Sequence, residues 1–255
     1  MSSKILAVFE GRKTEPRYFK VLADNYLSDT GDHLICAFEN CIYDLWAIVR
    51  DDPDLDLVEV IRNRNEANKK ELRDISRSEI SQVYLFFDLD CHDDKYTEEK
   101  IYALTDFFSN ETENGAIFIS YPMVEALRHF NQNFDFHEKM VPAFENIKYK
   151  KIVHEECEPA YSDVKKIARS DLNKLLRSHI IKSNYICGRL TNPIECKDFS
   201  RQNIKYVDQT EIFTAQLRKF INTERKIAVL SGFPIFLYQY FGEALFDRIA
   251  LEANS

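Results

Sequence analysis

Three short apolar runs, two closed directly by an acidic residue and the third leading to one a few residues on, each followed by helical periodicity, constrain this chain more than any other feature. Ile5–Phe9 (Ile-Leu-Ala-Val-Phe) breaks at Glu10-Gly11, and Val83–Phe87 (Val-Tyr-Leu-Phe-Phe) stops at Asp88-Leu89-Asp90. Ala116–Ile119 runs through Ser120-Tyr121-Pro122 to Glu125. A continuous apolar run of four or five residues reads as a strand buried on both faces, the pattern of a parallel sheet covered by helices. Strands that alternate with helices join through right-handed crossovers, so their carboxyl ends point one way. Ligands of open α/β sheets bind at that edge, and the acidic residues are therefore expected to converge.

The intervening segments fit this scheme. Thr14 is placed to cap a helix with Pro16 in its first turn, and Tyr18, Phe19, Leu22 and Tyr26 recur at helical spacing through about Leu27. A second strand is expected at 33–38. The charged stretch 50–80, with Val58, Ile61, Leu72 and Ile75 as sparse apolar positions, reads as helix with an acidic start. Further helices are expected from about Thr97 to Asn110 and from near Met123, with Glu125 on the first turn. Beyond residue 135 the pattern turns helical, at 161–182, 208–222 and 234–251, with one short strand at Ile227–Leu230. The fold class is thus α/β: a parallel sheet flanked by helices over 1–135, then a mainly helical region over 136–255 that binds nucleic acid or a partner.

Of 255 residues, 45% are hydrophobic and 30% charged, with 6 Gly and 7 Pro, which excludes collagen-like and disordered chains. No run reaches the roughly 20 apolar residues of a membrane span, and Met1-Ser2-Ser3-Lys4 leads straight into a strand, so a complete cytoplasmic protein is expected. The net charge of −8 is uneven: 15 basic against 27 acidic residues over 1–135, and 19 against 15 over 136–255. An acidic half suits metal and a basic half a phosphate backbone. Cys36, Cys41, Cys91, Cys157, Cys187 and Cys196 form no tight pairs and are expected as free thiols. His154, Cys157, Cys187 and Cys196 could furnish four zinc ligands, but the gap of eight between the last two is no knuckle spacing.

Glu10, the Asp88-x-Asp90 pair and Glu125 are the candidate metal ligands. Each alone is also what a turn or a helix start selects; in this order at successive strand ends they point to a cation. Hard carboxylate oxygens suit Mg²⁺, which keeps waters and takes substrate phosphate as a ligand. No EF-hand loop, Walker loop, Gly-x-Gly-x-x-Gly or Gly-x-Ser-x-Gly elbow occurs, so calcium-loop, P-loop and acyl-transfer chemistry are not supported. Lys166, Arg169 and Arg177 share about one helical face, a candidate phosphate contact or a solvated face. Tyr149 between Lys148 and Lys150 is the one arguable base-stacking strip.

Phe9-Glu10-Gly11 with Lys13-Thr14-Glu15-Pro16-x-Tyr18-Phe19, then Phe86-Phe87-Asp88-Leu89-Asp90, then Ser120-Tyr121-Pro122-Met123-Val124-Glu125 resemble the RloB-like proteins. These are Toprim nucleases related to the overcoming-lysogenization-defect family. Tyr121 stands where that family has Asn, and the resemblance covers residues 5–130. It implies a Toprim fold and an Mg²⁺- or Mn²⁺-dependent nuclease of anti-phage defence that cuts RNA, tRNA or DNA. By position, Glu10 and Asp88 would hold one metal with help from Glu15, and Asp90 with Glu125 a second. Two metals roughly 4 Å apart stabilise both oxygens of an in-line displacement. Lys13 would stand beside the scissile phosphate or pair with Glu15 at the surface, and His92 is a candidate proton donor to the leaving oxygen. Two other readings remain. Topoisomerase or primase chemistry on this fold needs elements that 136–255 does not announce. A non-catalytic Toprim sensor or effector subunit would need a partner, for which a separate ATPase is the candidate. The aromatic segment Phe233–Phe241 is expected to serve a homodimer contact.

Overall fold

The computed structural model describes residues 4–250 apart from 53 and 134, and the backbone alone at 196. The chain forms two compact units, one of residues 1–88 and 94–119, the other of 89–93 and 120–255. The division expected near 135 therefore falls inside the second unit. Residues 120–135 bind that unit's own elements: Tyr121 exchanges backbone hydrogen bonds with Leu230 at 2.7 and 2.9 Å, and the Leu127 carbonyl accepts from His179.

In the first unit, β1 (Lys4–Phe9), β2 (His33–Ala37), β3 (Ile80–Asp88), β4 (Ser109–Asn110) and β5 (Gly115–Ser120) make a sheet of order β2-β1-β3-β5-β4. β1 runs parallel to both β2 and β3, with Phe9 opposite Ala37 and Phe86, whereas β4 is antiparallel to β5. The expected parallel core is thus present, and its residues are buried because both faces are covered. Phe9, Phe19, Phe86 and Phe118 form a contiguous aromatic cluster, with Phe9 and Phe86 stacked at 5.2 Å.

Flanking this sheet are α1 (Thr14–Leu22), α2 (Ile42–Asp51), α3 (Leu57–Arg64), α4 (Glu66–Glu71) and α5 (Glu98–Phe107). Several local expectations need correction. Lys13 rather than Thr14 occupies the N-cap of α1, without a capping side chain, and the helix continues as a π-type turn over Ala23–Leu27. The stretch 50–80 is broken at Asn65, whose extended backbone ends α3 while its side chain accepts from Asn68 N–H to start α4. α5 stops at Phe107 because Ser109 and Asn110 pair with β5.

The second unit contains β6 (Met140–Pro142), α6 (Tyr149–Glu156), α7 (Arg169–Ile186), α8 (Gln209–Gln216), α9 (Asn222–Glu224), β7 (Lys226–Ala228), α10 (Gly232–Phe241) and α11 (Leu245–Arg248). β6 and β7 pair antiparallel; the sequence pattern missed β6, a three-residue strand with only Val141 buried. α7 starts at Arg169, not 161, since Pro159–Tyr161 and Val164–Lys166 are separate 3-10 turns. It is buried nearly all round, including Asn173, Arg177, His179 and Lys182. Phe233, Ile235, Phe236, Leu237 and Tyr238 of α10 are buried too, which leaves Tyr240 and Phe241, half-buried, as the accessible aromatics of the segment expected at a dimer contact. No helix among the described residues is long and apolar enough to cross a membrane.

Candidate functional site

Glu10 follows β1 and Asp88 ends β3, and because these strands are paired neighbours their ends are adjacent. The Glu10 amide donates to the Phe86 carbonyl at 3.1 Å, and the Glu10 carbonyl accepts from Glu39 at 2.9 Å. The Glu10 carboxylate turns back over the same edge, where Oε2 accepts from the Asp88 amide at 3.2 Å. Both backbones are thus held, and within the first unit the expected convergence of Glu10 with Asp88 is met.

Glu15 joins them through Gly11. A Cβ at Gly11 would come within 3.0 Å of Glu15 Oε2, so the absence of a side chain there lets this carboxylate lie against the loop after Glu10. Glu15 is only 8% exposed, and among the described residues it has no hydrogen bond or ion pair. Lys13 is exposed and forms no ion pair with it or with any other described residue. The Glu15 oxygens are not among the described side-chain atoms that are cut off from solvent without a partner, so the carboxylate still reaches water and can meet an ion. Glu10, Glu15 and Asp88 thus fit a hard divalent ion in donor chemistry. As positioned, no group of three or more His, Cys, Asp or Glu among the described residues forms a ready-made cage.

The remaining predicted ligands belong to the second unit. Leu89 donates to the Ser120 carbonyl at 2.9 Å, which fixes the start of the 89–93 segment. Asp90 Oδ1 accepts from the His92 amide at 3.0 Å and contacts the His92 ring. The Tyr121–Pro122 bond is cis. Glu125 lies in a 3-10 turn, Val124–Arg128, instead of an α-helix; it is 4% exposed, with Lys150 Nζ 3.7 Å from Oε1.

The expected nucleic-acid strip is largely reassigned. Tyr149 is buried, its hydroxyl 2.8 Å from His129 Nδ1, so it presents no stacking face. Lys148 is exposed at a left-handed N-cap, and Lys150 faces Glu125. Arg177 is buried, donates to the Ile249 carbonyl at 2.7 Å and lies over the Phe199 ring; it is a packing residue. Arg169 is exposed and donates to the Arg248 carbonyl at 3.1 Å, while Lys166 is exposed on the preceding 3-10 turn, off the helix it was expected to share. Cys36, Cys41, Cys91, Cys157 and Cys187 form no disulfide among the described residues. Burial pushes the Cys36 and Cys187 thiols up to about 12, which suppresses the thiolate a metal or nucleophile role requires.

Sequence reading missed a buried polar network. His129 is fully buried between the Tyr149 hydroxyl and Glu156, its Nε2 2.9 Å from Oε2, and Lys139 shares that carboxylate. Burial lowers the His129 pKa. His179 accepts from Ser231 N–H at Nδ1 (3.1 Å), so its Nε2–H donates to the Leu127 carbonyl; burial lowers its pKa to about 3 and the ring is neutral. Lys182 Nζ donates to the Phe136 and Lys139 carbonyls at 2.7 and 2.8 Å. These partners lie 17 to 52 residues apart in sequence, beyond any local spacing signal. Comparison with protein-family models, with curated proteins and with solved structures finds no match.

Proposed function

We propose that the protein is a divalent-metal-dependent nuclease of the Toprim type, hydrolysing phosphodiester bonds of RNA, tRNA or DNA. One observation carries the reading: Glu10 and Asp88 meet at the ends of two adjacent parallel strands, with the Glu15 carboxylate against Gly11 in the loop that follows Glu10. The motif resemblance to RloB-like proteins supports the same site and suggests a role in anti-phage defence, with an ATPase as the candidate partner. In this reading Glu10, Glu15 and Asp88 hold Mg²⁺ or Mn²⁺, which would polarise a phosphoryl oxygen and lower the pKa of bound water.

The chain's own contributions follow from its geometry. The Asp88 amide holds the Glu10 carboxylate in one orientation, so binding does not have to order that side chain. Lys13, exposed on the same loop and free of ion pairs among the described residues, is available to offset charge on an approaching phosphate. Asp90 and Glu125 enter as the resemblance implies. His92, engaged with Asp90, acts in this reading on the orientation of that carboxylate.

Incubation with plasmid DNA, single-stranded DNA and total tRNA under Mg²⁺, Mn²⁺ or EDTA tests the proposal. Product that forms with metal and vanishes with EDTA is expected and names the substrate. Metal binding without turnover on any of them would instead favour the sensor-subunit reading.

A further inference from the structure

We propose that the second unit binds a nucleoside monophosphate in the cavity beside the C-terminal end of α7. The cavity has a volume of about 300 Å³, at the small end of ligand pockets and of a size for one base with its sugar phosphate. Its walls combine apolar Met140, Ile186 and Phe220 with three polar groups of different kinds, Glu138, His137 and Lys219.

The acceptors come from one turn of chain. Glu138 Oε1 accepts from the Tyr185 hydroxyl at 3.0 Å, which orients the carboxylate and leaves its second oxygen for a ligand. His137 lines the same wall, with its Nδ1 buried from solvent and without a hydrogen-bond partner. The cation comes from elsewhere. Gly188 has φ +76°, and a Cβ there would stand 3.9 Å from Lys219 Nζ, so the ammonium reaches to the backbone at the cavity. Lys219 has no ion pair among the described residues.

A bare anion would be repelled by Glu138, and a neutral base would leave Lys219 unused. A ligand with an N–H edge, an apolar ring face and an anionic group answers all of these features, and a nucleobase bearing a phosphate has that pattern. Cleavage by the first unit and binding in this cavity are separable properties.

Calorimetric titration of the full chain with GMP, AMP, CMP and UMP, the matching nucleosides and inorganic phosphate tests the site. At least one monophosphate should bind saturably, more tightly than its nucleoside and than phosphate. Lys219→Ala should weaken it about tenfold, the loss of one charge-assisted contact, and remove the preference over the nucleoside. Glu138→Gln should weaken nucleotide and nucleoside alike, with circular dichroism of both variants unchanged. Failure of all four monophosphates, phosphate binding equally well, or parental affinity in Lys219→Ala would overturn the proposal. Binding of a 5′-phosphorylated oligonucleotide while every mononucleotide fails would overturn it too.

Discussion

At the scale of single residues, Glu15 is the sharpest reporter. Its carboxylate has no partner among the described residues, so in EDTA Glu15→Gln should leave the Tm within the small range of a substitution that breaks no contact. Mg²⁺ at a hundred times its Kd should stabilise the parent by about 2.7 kcal/mol and the variant by much less. A metal response of the variant equal to that of the parent would contradict the role given to Glu15. His179 and Lys182 make a second prediction. Burial lowers their pKa values to about 3 and about 7, from the ordinary 6.5 and 10.5. The unfolded chain therefore binds more protons than the folded one over pH 3–6.5 and again over pH 7–10.5, and stability rises with pH across both windows. Urea unfolding should show the upper rise in the parent and a flattened one in Lys182→Met. Glu10 and Asp88 were legible because each closes an apolar run that forms a strand, whereas Glu15, on the first turn of α1, entered only through the motif resemblance. Arg177 was misread because helical spacing reveals a shared face but not which face is buried.

At the scale of elements, the three central strands were legible from their apolar runs, while features fixed by distant partners were not. Asn68 is an instance: 2% exposed, it accepts from the Ala37 amide and donates to the Ala37 and Ile61 carbonyls. It thereby gives β2, an edge strand, the hydrogen bonds a further strand would supply. Asn68→Ala should cost about 2 kcal/mol, measured by denaturant unfolding, because it leaves buried backbone groups unsatisfied. Gly115 is the second instance. Its φ of +106° disfavours any side chain, and a Cβ would stand 2.9 Å from Leu85 Cδ1 and 3.4 Å from the Val83 carbonyl. Gly115→Ala should cost on the order of 2 kcal/mol through backbone strain and overpacking; unchanged unfolding would show that the β5 entry relaxes freely. Neither position carries a pattern signal, since an Asn in a charged stretch and a Gly before a strand look like ordinary loop chemistry. β6 was missed for a related reason: three residues are too few to display a period.

At the scale of the whole molecule, the sequence conveyed an acidic sheet-bearing part followed by a basic helical part, but not where one gives way to the other. The change of unit at Ile119 and Ser120 comes at the end of a strand, without the Gly, Ser or Pro cluster that marks a linker in sequence. The segment 89–93 joins the second unit through the Leu89–Ser120 hydrogen bond, a contact between residues 31 positions apart. α7 explains the helical third: polar groups buried along it, with Asn173, Arg177 and Lys182 bonded to distant backbone carbonyls and Ser178 and Ser183 to carbonyls of the helix itself, make it a central element instead of an amphipathic surface helix. The account's central claim is that carboxylates at the β1 and β3 ends serve metal-dependent phosphodiester cleavage. Cleavage rates of the parent, Glu10→Ala and Asp88→Ala, on the substrate that responds to Mg²⁺ or Mn²⁺, test it most directly. Loss of at least about a hundredfold in both variants, the scale of removing a group that stabilises transition-state charge, with folding retained, is the predicted result. Parental rates in both would contradict it.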